Sequence, residues 1–596
     1  MMSAMAHRGP DGSGMLRGNG IGLGHRRLSI IDIEGGAQPM SSADGSMSVV
    51  FNGEIYNYVE LRAELAARGC RFTTHSDTEV LLHLYECMGV EMLSRLNGMF
   101  AFALWDRARD TVMLARDRVG KKPLYYRVDG GNLLFASELK ALLTHSAIAR
   151  CVAVDALDDY LAYGYVPGAS CIISGVSKLP PGEVLVWRRG SWHVHRYWDI
   201  RMEHGTATNE RQWLDELERR LLDAVRIRLR SDVPLGVFLS GGVDSSAVVA
   251  LCSEVSSAPL KTFSVGFAER DFDELPDARV VADRFGTDHS ELIVEDHDLS
   301  ILPDIVYHLD EPFADPSALP TYYVCREARR HVTVCLSGDG GDELFAGYAR
   351  YRQALAYQRW DWMGALGARG LAAVAAGAMP RALPGRGMLE RMASRGPARY
   401  AGQVGIFSAA ERVALIRPDC NVPVRPDGAL FESYFAPDRR RDLLTTLQHA
   451  DQKTYLPDDI LVKVDRMSMQ NSLEVRAPLL DYNVVEFANT APASLKLRDG
   501  RAKYALKKLL AKRLPGHTLD KPKRGFGIPI RYWFRGSKGD HVREVLLAPD
   551  ARTRRWLDPA AVSALVRDHQ RGGRDLSHKI WALLVLEHWC RRFDVG

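Results

Sequence analysis

The sequence of 596 residues predicts a chain of two classes, α+β in its first third and α/β beyond, with a mostly helical C-terminal region. In the first third, apolar runs of four to eight residues alternate with Gly, Asn and Asp, a pattern typical of the strands of a sandwich. After about residue 230, short apolar strands alternate with helices, which predicts a doubly wound parallel sheet. A chain this long corresponds to roughly three or four folding units, or to two large ones.

Composition excludes several classes of protein. The 78 Lys and Arg residues against 74 Asp and Glu residues give a net charge of +4, too close to neutral for a general nucleic-acid binder. The nine cysteines are scattered and form no CxxC pair, which favours buried free thiols in a reducing compartment. The apolar stretch at 370–380 is shorter than the roughly 20 residues that a membrane span needs, and residues 1–14 do not resemble a signal peptide. We therefore expect a cytoplasmic enzyme with neither a nucleic-acid nor a membrane partner.

In the first part, apolar runs predict six strands and two helices. The predicted strands are residues 28–33, 48–52, 99–105, 111–115, 124–128 and 132–136. The helices are expected over 58–68 and 78–88, where apolar residues recur every three or four positions. A polar, aperiodic stretch at 201–209 is the predicted linker, so that one domain covers residues 1–200 and a second covers 210–596.

The second part opens with a strong helical pattern at 210–230, whose apolar side chains fall on one stripe. Strands are expected at 237–239, 262–267 and 332–336, and a helix at 246–254 follows the first of them. This alternation of strand, loop and helix is the reason for predicting a doubly wound sheet.

The sharpest motif is Leu-Ser-Gly-Gly-Val-Asp-Ser-Ser at 239–246, between a predicted strand and the helix after it. Gly241 and Gly242 allow the backbone to approach an anion, and the free N–H groups at the helix start would bind phosphate. Asp244 offers a hard oxygen ligand for Mg²⁺. Further hydroxyl donors are Ser240, Ser245 and Ser246. The alternative interpretation, a glycine turn with a helix cap, is less favoured for the full octet in this context.

A second cluster, Leu-Ser-Gly-Asp-Gly-Gly-Asp-Glu at 336–343, also follows an apolar strand. Its glycines and oxygen-bearing side chains suit a nucleotide and metal contact, although alone it could equally be a capped turn. Because both clusters belong to one predicted parallel sheet, we interpret them as parts of one nucleotide site. No GxxxxGK[ST] motif occurs, and the first octet resembles the PP-loop of the ATP pyrophosphatase superfamily, enzymes that cleave ATP between its α and β phosphates.

Sequence blocks along nearly the whole chain resemble the glutamine-hydrolysing asparagine synthetases. The first part carries HRGPDGSG (7–14), FNGEIYNY (51–58) and RDRVGKKPLYY (116–126), and the second carries SGGVDSS (240–246), LSGDGGDELFAGY (336–348) and LVKVDRMSMQNSLEVRAPLLD (461–481). The resemblance implies an N-terminal class II glutamine amidotransferase, an Ntn-type αββα sandwich that releases ammonia from glutamine. It implies a C-terminal PP-loop ATP pyrophosphatase domain that binds ATP, Mg²⁺ and aspartate, forms β-aspartyl-AMP and lets ammonia displace AMP to give asparagine.

By motif match, the resemblance gives roles to residues of the second part. The adenosine and nucleotide contacts would be Leu239, Val265, Ser337 and Gly338. The pyrophosphate contacts would be Ser240, Gly241, Gly242, Asp244, Ser245 and Ser246. Asp339 would support formation of β-aspartyl-AMP, and Asp342 would join Asp244 in binding Mg²⁺. Lys503 would stabilise charge on the reacting groups.

The resemblance likewise gives roles in the first part. Arg27 would bind the glutamine carboxylate, for which a bidentate guanidinium is well suited. Asn52 and the N–H of Gly53 would form the oxyanion hole, although a hairpin turn would be the favoured interpretation of this pair alone. Glu54 and Asp77 would bind the glutamine amino group.

The start of the printed sequence departs from the family pattern. The family carries its nucleophile as an N-terminal cysteine, whose α-amine is the general base. This sequence begins Met-Met-Ser-Ala-Met-Ala, and Cys70 in mid-chain has no free amine. As written, the polypeptide is therefore not expected to hydrolyse glutamine. We favour a start codon assigned too far downstream over genuine loss, because all five glutamine contacts are retained.

Alternatives remain open at this stage. β-Lactam synthetases, lasso-peptide cyclases and amidotransferases of exopolysaccharide loci look similar but act on other carboxylates, so the acceptor is the least determined feature. A non-catalytic nucleotide-binding scaffold is disfavoured by the retained acidic residues and Lys503. Basic clusters at 439–441 and 521–524 could suggest RNA, but solvated surface and closure over phosphates, respectively, are preferred. The sequence is compatible with a homodimer.

Overall fold

The structure, a computed structural model, describes residues 1–18, 20–202, 209–267, 269, 272–294, 299–358, 368–379, 386–436, 441–521, 527–536 and 538–595. The strands of the first part are β1 (Gly12–Gly18), β2 (Ile21–Arg27), β3 (Met40–Ser41), β4 (Met47–Ile55), β5 (Gly98–Asp106), β6 (Thr111–Arg116), β7 (Tyr125–Asp129), β8 (Asn132–Ala136), β9 (Ser177–Lys178), β10 (Glu183–Arg188) and β11 (Ser191–Arg196). Its helices are α1 (Tyr58–Ala67), α2 (Asp77–Met88), α3 (Leu139–Leu142) and α4 (Val154–Tyr163).

A six-stranded antiparallel sheet is the centre of the first part, in the order β11-β10-β6-β5-β4-β3. Strand β5 shows how its two faces are used. Phe100, Phe102 and Leu104 pack with the apolar side chains of α1 and α2 on one face. Ala101 and Ala103 pack on the other face with residues of β2 and β7, which belong to the smaller sheets β1-β2 and β8-β7-β9. Alternation of side chains along each strand thus produces the layered sandwich.

The second part contains five parallel strands, β12 (Leu235–Phe238), β13 (Lys261–Phe267), β14 (Asp288–Val294), β15 (Val334–Leu336) and β16 (Glu474–Arg476), and a short hairpin, β17 (Leu497–Arg498) and β18 (Arg501–Ala502). The parallel strands lie in the order β14-β13-β12-β15-β16. Its first helices are α5 (Glu210–Arg228), α6 (Val243–Val255), α7 (Leu275–Phe285), α8 (Leu302–Leu309), α9 (Ala318–Arg329) and α10 (Gly341–Phe345). The chain reverses its order of strands around β12, and such a switch point is where an open α/β sheet binds its ligand.

The remainder of the chain is mostly helical, as the sequence predicts. Its helices are α11 (Ala349–Gln358), α12 (Ala368–Ala378), α13 (Arg386–Ala393), α14 (Gly396–Val404), α15 (Ala409–Leu415), α16 (Leu443–Lys453), α17 (Leu461–Gln470), α18 (Tyr482–Asn489), α19 (Ala493–Lys496), α20 (Tyr504–Leu510), α21 (Gly516–Leu519), α22 (Ile530–Arg535), α23 (Gly539–Leu546), α24 (Pro559–Gln570) and α25 (Ser577–Phe593). Across the described ranges, no helix combines the length and the apolar character that crossing a membrane requires.

One predicted strand, 28–33, is wrong. The segment is a loop, in which the carbonyl oxygens of Ile31, Asp32 and Ile33 accept hydrogen bonds from the guanidinium of Arg27 at 2.7 to 3.0 Å rather than from a neighbouring strand. Its apolar residues Ile30 and Ile31 are buried, but against Val334 of β15 rather than within a sheet. The other five predicted strands and both helices of the first part are confirmed to within a few residues.

A buried ionic cluster joins the two parts of the chain. Arg8 contacts Glu138 at 3.0 Å and Asp465 of α17 at 2.8 Å. Arg466 contacts Glu138 at 2.9 Å and Asp310 at 3.2 Å. All five side chains are at most 5% exposed. Most of the predicted linker (203–208), and residues 439–440 and 522–524 of the two basic clusters, lie outside the described residues.

Candidate active sites

The predicted phosphate loop connects β12 to α6. Gly241 has a φ of +71°, and a Cβ at this residue would lie 2.5 Å from the backbone carbon of Asp277, so only glycine fits there. The hydroxyl groups of Ser240 and Ser245 are 3.1 Å apart and stabilise the turn. The first N–H groups of α6 have no acceptor within the helix and carry the positive end of its dipole. The loop is therefore built to bind an anion.

The second predicted cluster follows β15 and touches the first loop directly. A Cβ on Gly338 would lie 2.7 Å from the backbone nitrogen of Ser245 and 2.8 Å from the carbonyl carbon of Asp244. The N–H of Ser337 donates to the carbonyl oxygen of Arg476 on β16 at 2.9 Å. Strands β12, β15 and β16 thus bring the two clusters to one edge of the sheet, as the sequence predicts.

Lys503 joins the two clusters through its side chain. Its Nζ lies 2.5 Å from Asp244 Oδ2 and 2.6 Å from Asp342 Oδ1, and the lysine side chain is only 9% exposed. Lys503 has a φ of +57°, a left-handed conformation that costs a residue with a Cβ about 1–2 kcal/mol. The N–H of Lys503 donates to Phe345 at the end of α10, which fixes that conformation. A strained backbone held in place by its neighbours is common at functional sites.

The same carboxylates are suitable ligands for a divalent cation. Asp244 Oδ1 is buried and has no hydrogen-bond partner among the described residues. Mg²⁺ at nucleotide sites is commonly held by one or two carboxylates together with phosphate oxygens and water. Within the ranges that the structure describes, no cluster of three or more His, Cys, Asp or Glu side chains forms a closed metal cage. Asp244 and Asp342 fit a magnesium ion that arrives with a phosphate ligand.

Both clusters border one cavity of about 1090 Å³. The sequence-predicted residues that line it are Leu239, Ser240, Gly241, Gly242, Asp244, Ser245, Val265, Ser337, Gly338, Asp339, Asp342 and Lys503. Ser246 is the exception, since it is fully buried in α6 and does not border the cavity. Its N–H donates to the carbonyl oxygen of Gly242 at 3.0 Å, so Ser246 shapes the loop from behind.

Asp339 lies at the end of this cavity where Lys463 and Asp315 form an ion pair. The sequence motifs do not predict this pair. Ser337 Oγ donates to Asp339 Oδ2 at 2.6 Å, and burial raises the pKa of the Asp339 carboxyl above its usual range. Lys463 Nζ lies 2.6 Å from Asp315 Oδ2 and 2.8 Å from Ser317 Oγ. Lys463 belongs to the block at 461–481, but Asp315 and Ser317 are far from it in the chain and no motif marks the three residues as a group.

The glutamine contacts predicted in the first part line a second cavity, of about 230 Å³. They are Arg27, Asn52, Gly53, Glu54 and Asp77. Gly53 has a φ of +142°, and a Cβ there would lie 1.9 Å from the carbonyl oxygen of Met99. The Nδ2 of Asn52 is buried and makes no hydrogen bond to any residue described. This free amide donor is what an oxyanion hole requires.

The pKa values of two carboxyl groups in the smaller cavity are raised above their usual range. Burial, assisted by Glu474, raises the pKa of Glu54 well above its usual range, and burial raises the pKa of Asp77 to about 7. Arg476 of β16 lies 3.6 Å from Glu54 and 2.8 Å from Glu474. Strand β16 therefore contributes Glu474 to the lining of the smaller cavity, and Arg476 lies behind it as the cation beside Glu54 and Glu474.

Methionine rather than cysteine occupies the end of this cavity nearest the first residues. Met1, Met2 and Met5 line it, and no cysteine is found among the described residues that do. Cys70 is partly exposed and packs beside α1 and α2 with the helical layer of the sandwich. The cavity thus brings together the five residues predicted to contact glutamine, and no thiol is found among the described residues that line it.

Comparison with known proteins matches each of the two parts of the chain to a family. Residues 216–591 match the family described as asparagine synthase, and residues 1–198 match the glutamine amidotransferase domain family. The chain is 38% identical to asparagine synthetase [glutamine-hydrolyzing] 1 of Bacillus subtilis, over 99% of this chain and 92% of that protein. It is 37% identical to a putative asparagine synthetase of Mycobacterium tuberculosis, over 98% and 92% of the two chains. It is also 30% identical to the amidase chyE of Penicillium rubens, over 94% and 88%.

Proposed function

The chain belongs to the asparagine synthase family, and from that premise we propose that it amidates aspartate to asparagine at the expense of ATP. The β-carboxylate of aspartate attacks the α-phosphorus of ATP, and pyrophosphate leaves. Ammonia then attacks the carbonyl carbon of β-aspartyl-AMP, and AMP leaves as asparagine forms. A free carboxylate is a poor acyl donor because oxide would be its leaving group, whereas AMP is a good one.

The observation that carries this proposal is the position of Lys503 between the two loops. A lysine beside a phosphate loop can neutralise charge that develops on the transferred group, without any movement of the backbone. The N–H groups of α6 and the hydroxyl groups of Ser240 and Ser245 would bind the pyrophosphate. Asp244 and Asp342 would hold Mg²⁺, which supplies neutralisation of the pyrophosphate charge when bound. Leu239 and Val265 would contact the adenosine.

The ammonia source follows from the smaller cavity. Arg27 would bind the glutamine carboxylate, Glu54 and Asp77 its amino group, and Asn52 with the Gly53 N–H the oxyanion. Free ammonium should also support synthesis, because the large cavity needs ammonia and not glutamine itself. Asparagine formation measured with ammonium in place of glutamine tests this prediction, and synthesis that requires glutamine would contradict it.

Other features of the chain support finer proposals. Two domains, 1–200 and 210–596, joined by residues 201–209, agree with the two family matches. The scattered free cysteines support a cytoplasmic location, and the nearly neutral net charge supports a protein without a nucleic-acid partner. A homodimer is compatible with the sequence, and analytical ultracentrifugation would measure the oligomeric state.

The test of the reaction is pyrophosphate release with ATP, Mg²⁺, ammonium and a panel of carboxylates that includes aspartate. We expect release to require aspartate and to be matched by asparagine and AMP in a 1:1:1 ratio. Release that occurs only with another carboxylate would overturn the assignment of the acceptor. Release without any carboxylate would overturn the ligase assignment itself.

A further inference from the structure

The large cavity contains an ion pair that the phosphate-binding groups do not use. Lys463 extends from α17, and its Nζ contacts Asp315 Oδ2 at 2.6 Å and Ser317 Oγ at 2.8 Å. The Ser317 hydroxyl in turn donates to Asp315 Oδ2 at 2.6 Å, so the three side chains form a closed triangle. All three line the cavity. Their side chains are largely withdrawn from solvent, with 10% of Lys463 and 16% of Asp315 exposed.

The triangle lies at the Asp339 end of the cavity. Asp339 interacts electrostatically with Lys463, and it follows β15, whereas Leu239 and Val265 belong to the β12 and β13 side of the sheet. Helix α17, which carries Lys463, packs against β16 on the far side of β15. Adenosine and acceptor groups would therefore occupy opposite ends, with the pyrophosphate loop between them.

The charges of the pair are fixed at neutral pH. Burial alone lowers the pKa of Lys463, but the carboxylates of Asp315 and Asp459 raise it above the usual range. Burial alone raises the pKa of Asp315, but Lys463 and Ser317 lower it to about 2. The ammonium of Lys463 thus faces the carboxylates of Asp315, Asp459 and Asp339, and among these Asp315 is the one in direct contact with it inside the cavity. Lys463 and Asp315 neutralise each other, so a ligand that separates them must supply an opposite charge to each, since an unpaired buried charge is costly.

We propose that Lys463 and Asp315 recognise the zwitterionic head group of the acceptor, with Lys463 binding its α-carboxylate and Asp315 its α-ammonium. The proposal rests on the function proposed above and deepens it, because it defines the acceptor class as an α-amino acid. A zwitterion replaces the internal ion pair charge for charge. An acceptor that lacks either group leaves one protein charge without a partner, and a site of this kind discriminates by about 10⁴-fold. Ser317 positions both side chains.

The experiment compares three acceptors in the pyrophosphate-release assay with ammonium. L-Aspartate carries both head groups, succinate lacks the ammonium, and β-alanine lacks the α-carboxylate. The wild-type protein should show a kcat/KM for aspartate about 10³- to 10⁴-fold above that for either analogue. The Lys463→Met variant should lose about 100-fold or more with aspartate and succinate but little with β-alanine. The Asp315→Asn variant should lose a similar factor with aspartate and β-alanine but little with succinate.

A merely structural role of Lys463 and Asp315 would not produce opposite losses with succinate and β-alanine in the two variants. A matched control is Lys496→Met, which removes a lysine that is only 1% exposed and lies outside the lining of the cavity. Its acceptor ratios should equal those of the wild type. The KM for ATP should change less than about threefold in all the variants, because the phosphate contacts are untouched. Circular dichroism and the thermal midpoint of each variant establish that it is folded.

If Lys463→Met does not fold, Ser317→Ala supplies the test. It keeps both charges but loosens their geometry, so the preference for aspartate over both analogues should fall about tenfold. Equal losses for all three acceptors, or a loss expressed only in the KM for ATP, would overturn the head-group assignment while leaving the proposed reaction intact. Absence of pyrophosphate release from the wild-type protein with aspartate would instead overturn the proposed function and, with it, this assignment.

Discussion

At the scale of single residues, Lys503 shows how backbone and charge are combined. The residue adopts a left-handed conformation, for which glycine would be the easier choice, and its side chain compensates by contacting two carboxylates. The position immediately before α20 directs the amine into the cavity. Removal of the amine would take away the cation that lies 2.5 Å from Asp244 and 2.6 Å from Asp342.

Substitution of Lys503 by Met should therefore lower kcat for pyrophosphate release by about 100- to 1000-fold. The matched control is Lys508→Met in α20, the helix that begins directly after Lys503, because Lys508 is exposed and pairs with Glu210 away from the cavity. The control should keep the wild-type kcat, as a surface ion pair contributes little. A Lys503→Met enzyme within tenfold of the wild type would contradict the proposed role.

Some of the site residues can be predicted from a local sequence motif, and others cannot. Glycine-rich octets at strand ends can be recognised because backbone approach to an anion requires glycine, and the structure places Gly241 and Gly338 in such contacts. Lys463 and Asp315 could not be recognised in this way. They are 148 positions apart, and the packing of α17 against α9, which begins three residues after Asp315, brings them together.

At the scale of secondary structure elements, helix α2 positions a carboxylate of the smaller cavity. Asp77 is the first residue of α2, and its Oδ2 accepts the N–H of Ile55 at 2.8 Å. Burial raises the pKa of Asp77 to about 7, from an unfolded value of about 4. The folded protein therefore binds more protons than the unfolded chain between these pH values. It follows that stability is lost as the pH rises from about 4 to 7, with no further loss above that range.

The Asp77→Asn variant removes this titration but keeps an oxygen that can accept the N–H of Ile55. The thermal midpoint of the variant should rise relative to that of the wild type as the pH increases from 4.5 to 7.5. Differential scanning calorimetry at several pH values measures the difference. A difference that stays constant over this range, or that changes with the opposite sign, would contradict the assignment of a raised pKa to Asp77.

Among the elements, those with regular periodicity could be predicted and the short ones could not. Strands β4 to β8 alternate or cluster apolar residues and were recognisable, as was the helix at 210–230. Strand β16 has three residues, and two of them, Glu474 and Arg476, are charged and buried, so its pattern resembles a loop. The strand predicted at 28–33 is wrong because its apolar pattern reflects burial by tertiary packing and not pairing in a sheet.

At the scale of the whole molecule, the buried ionic cluster is the feature that unites the two parts. Asp465 accepts two hydrogen bonds from the guanidinium of Arg8, at 2.8 and 3.0 Å, although 457 positions separate them. The pair resembles the core of a single domain more than a mobile interface, since neither side chain is more than 5% exposed. Loss of one partner leaves the other buried side chain with an uncompensated charge.

The Asp465→Asn variant should therefore destabilise the protein by about 3–5 kcal/mol. A thermal midpoint lowered by several degrees would report the change. Arg219→Ala is the surface counterpart, because Arg219 pairs with Glu216 but is 59% exposed, and it should cost no more than about 1 kcal/mol. Equal midpoints for the two variants would show that the cluster does not stabilise the assembly of the two parts.

Strand β16 lies between the two cavities, because Glu474 lines the smaller one and Arg476 is hydrogen-bonded to Ser337, which lines the larger one. The side chains of Glu474 and Arg476 lie close to Glu54, while the carbonyl oxygen of Arg476 accepts the N–H of Ser337 at the border of the large cavity. A shift of that strand on ATP binding would alter both compartments at once. By thermodynamic reciprocity, whatever factor ATP applies to glutamine affinity, glutamine must apply to ATP affinity. Titration calorimetry of each ligand, with and without the other, would measure that factor. A value of one would mean that β16 does not couple the two cavities.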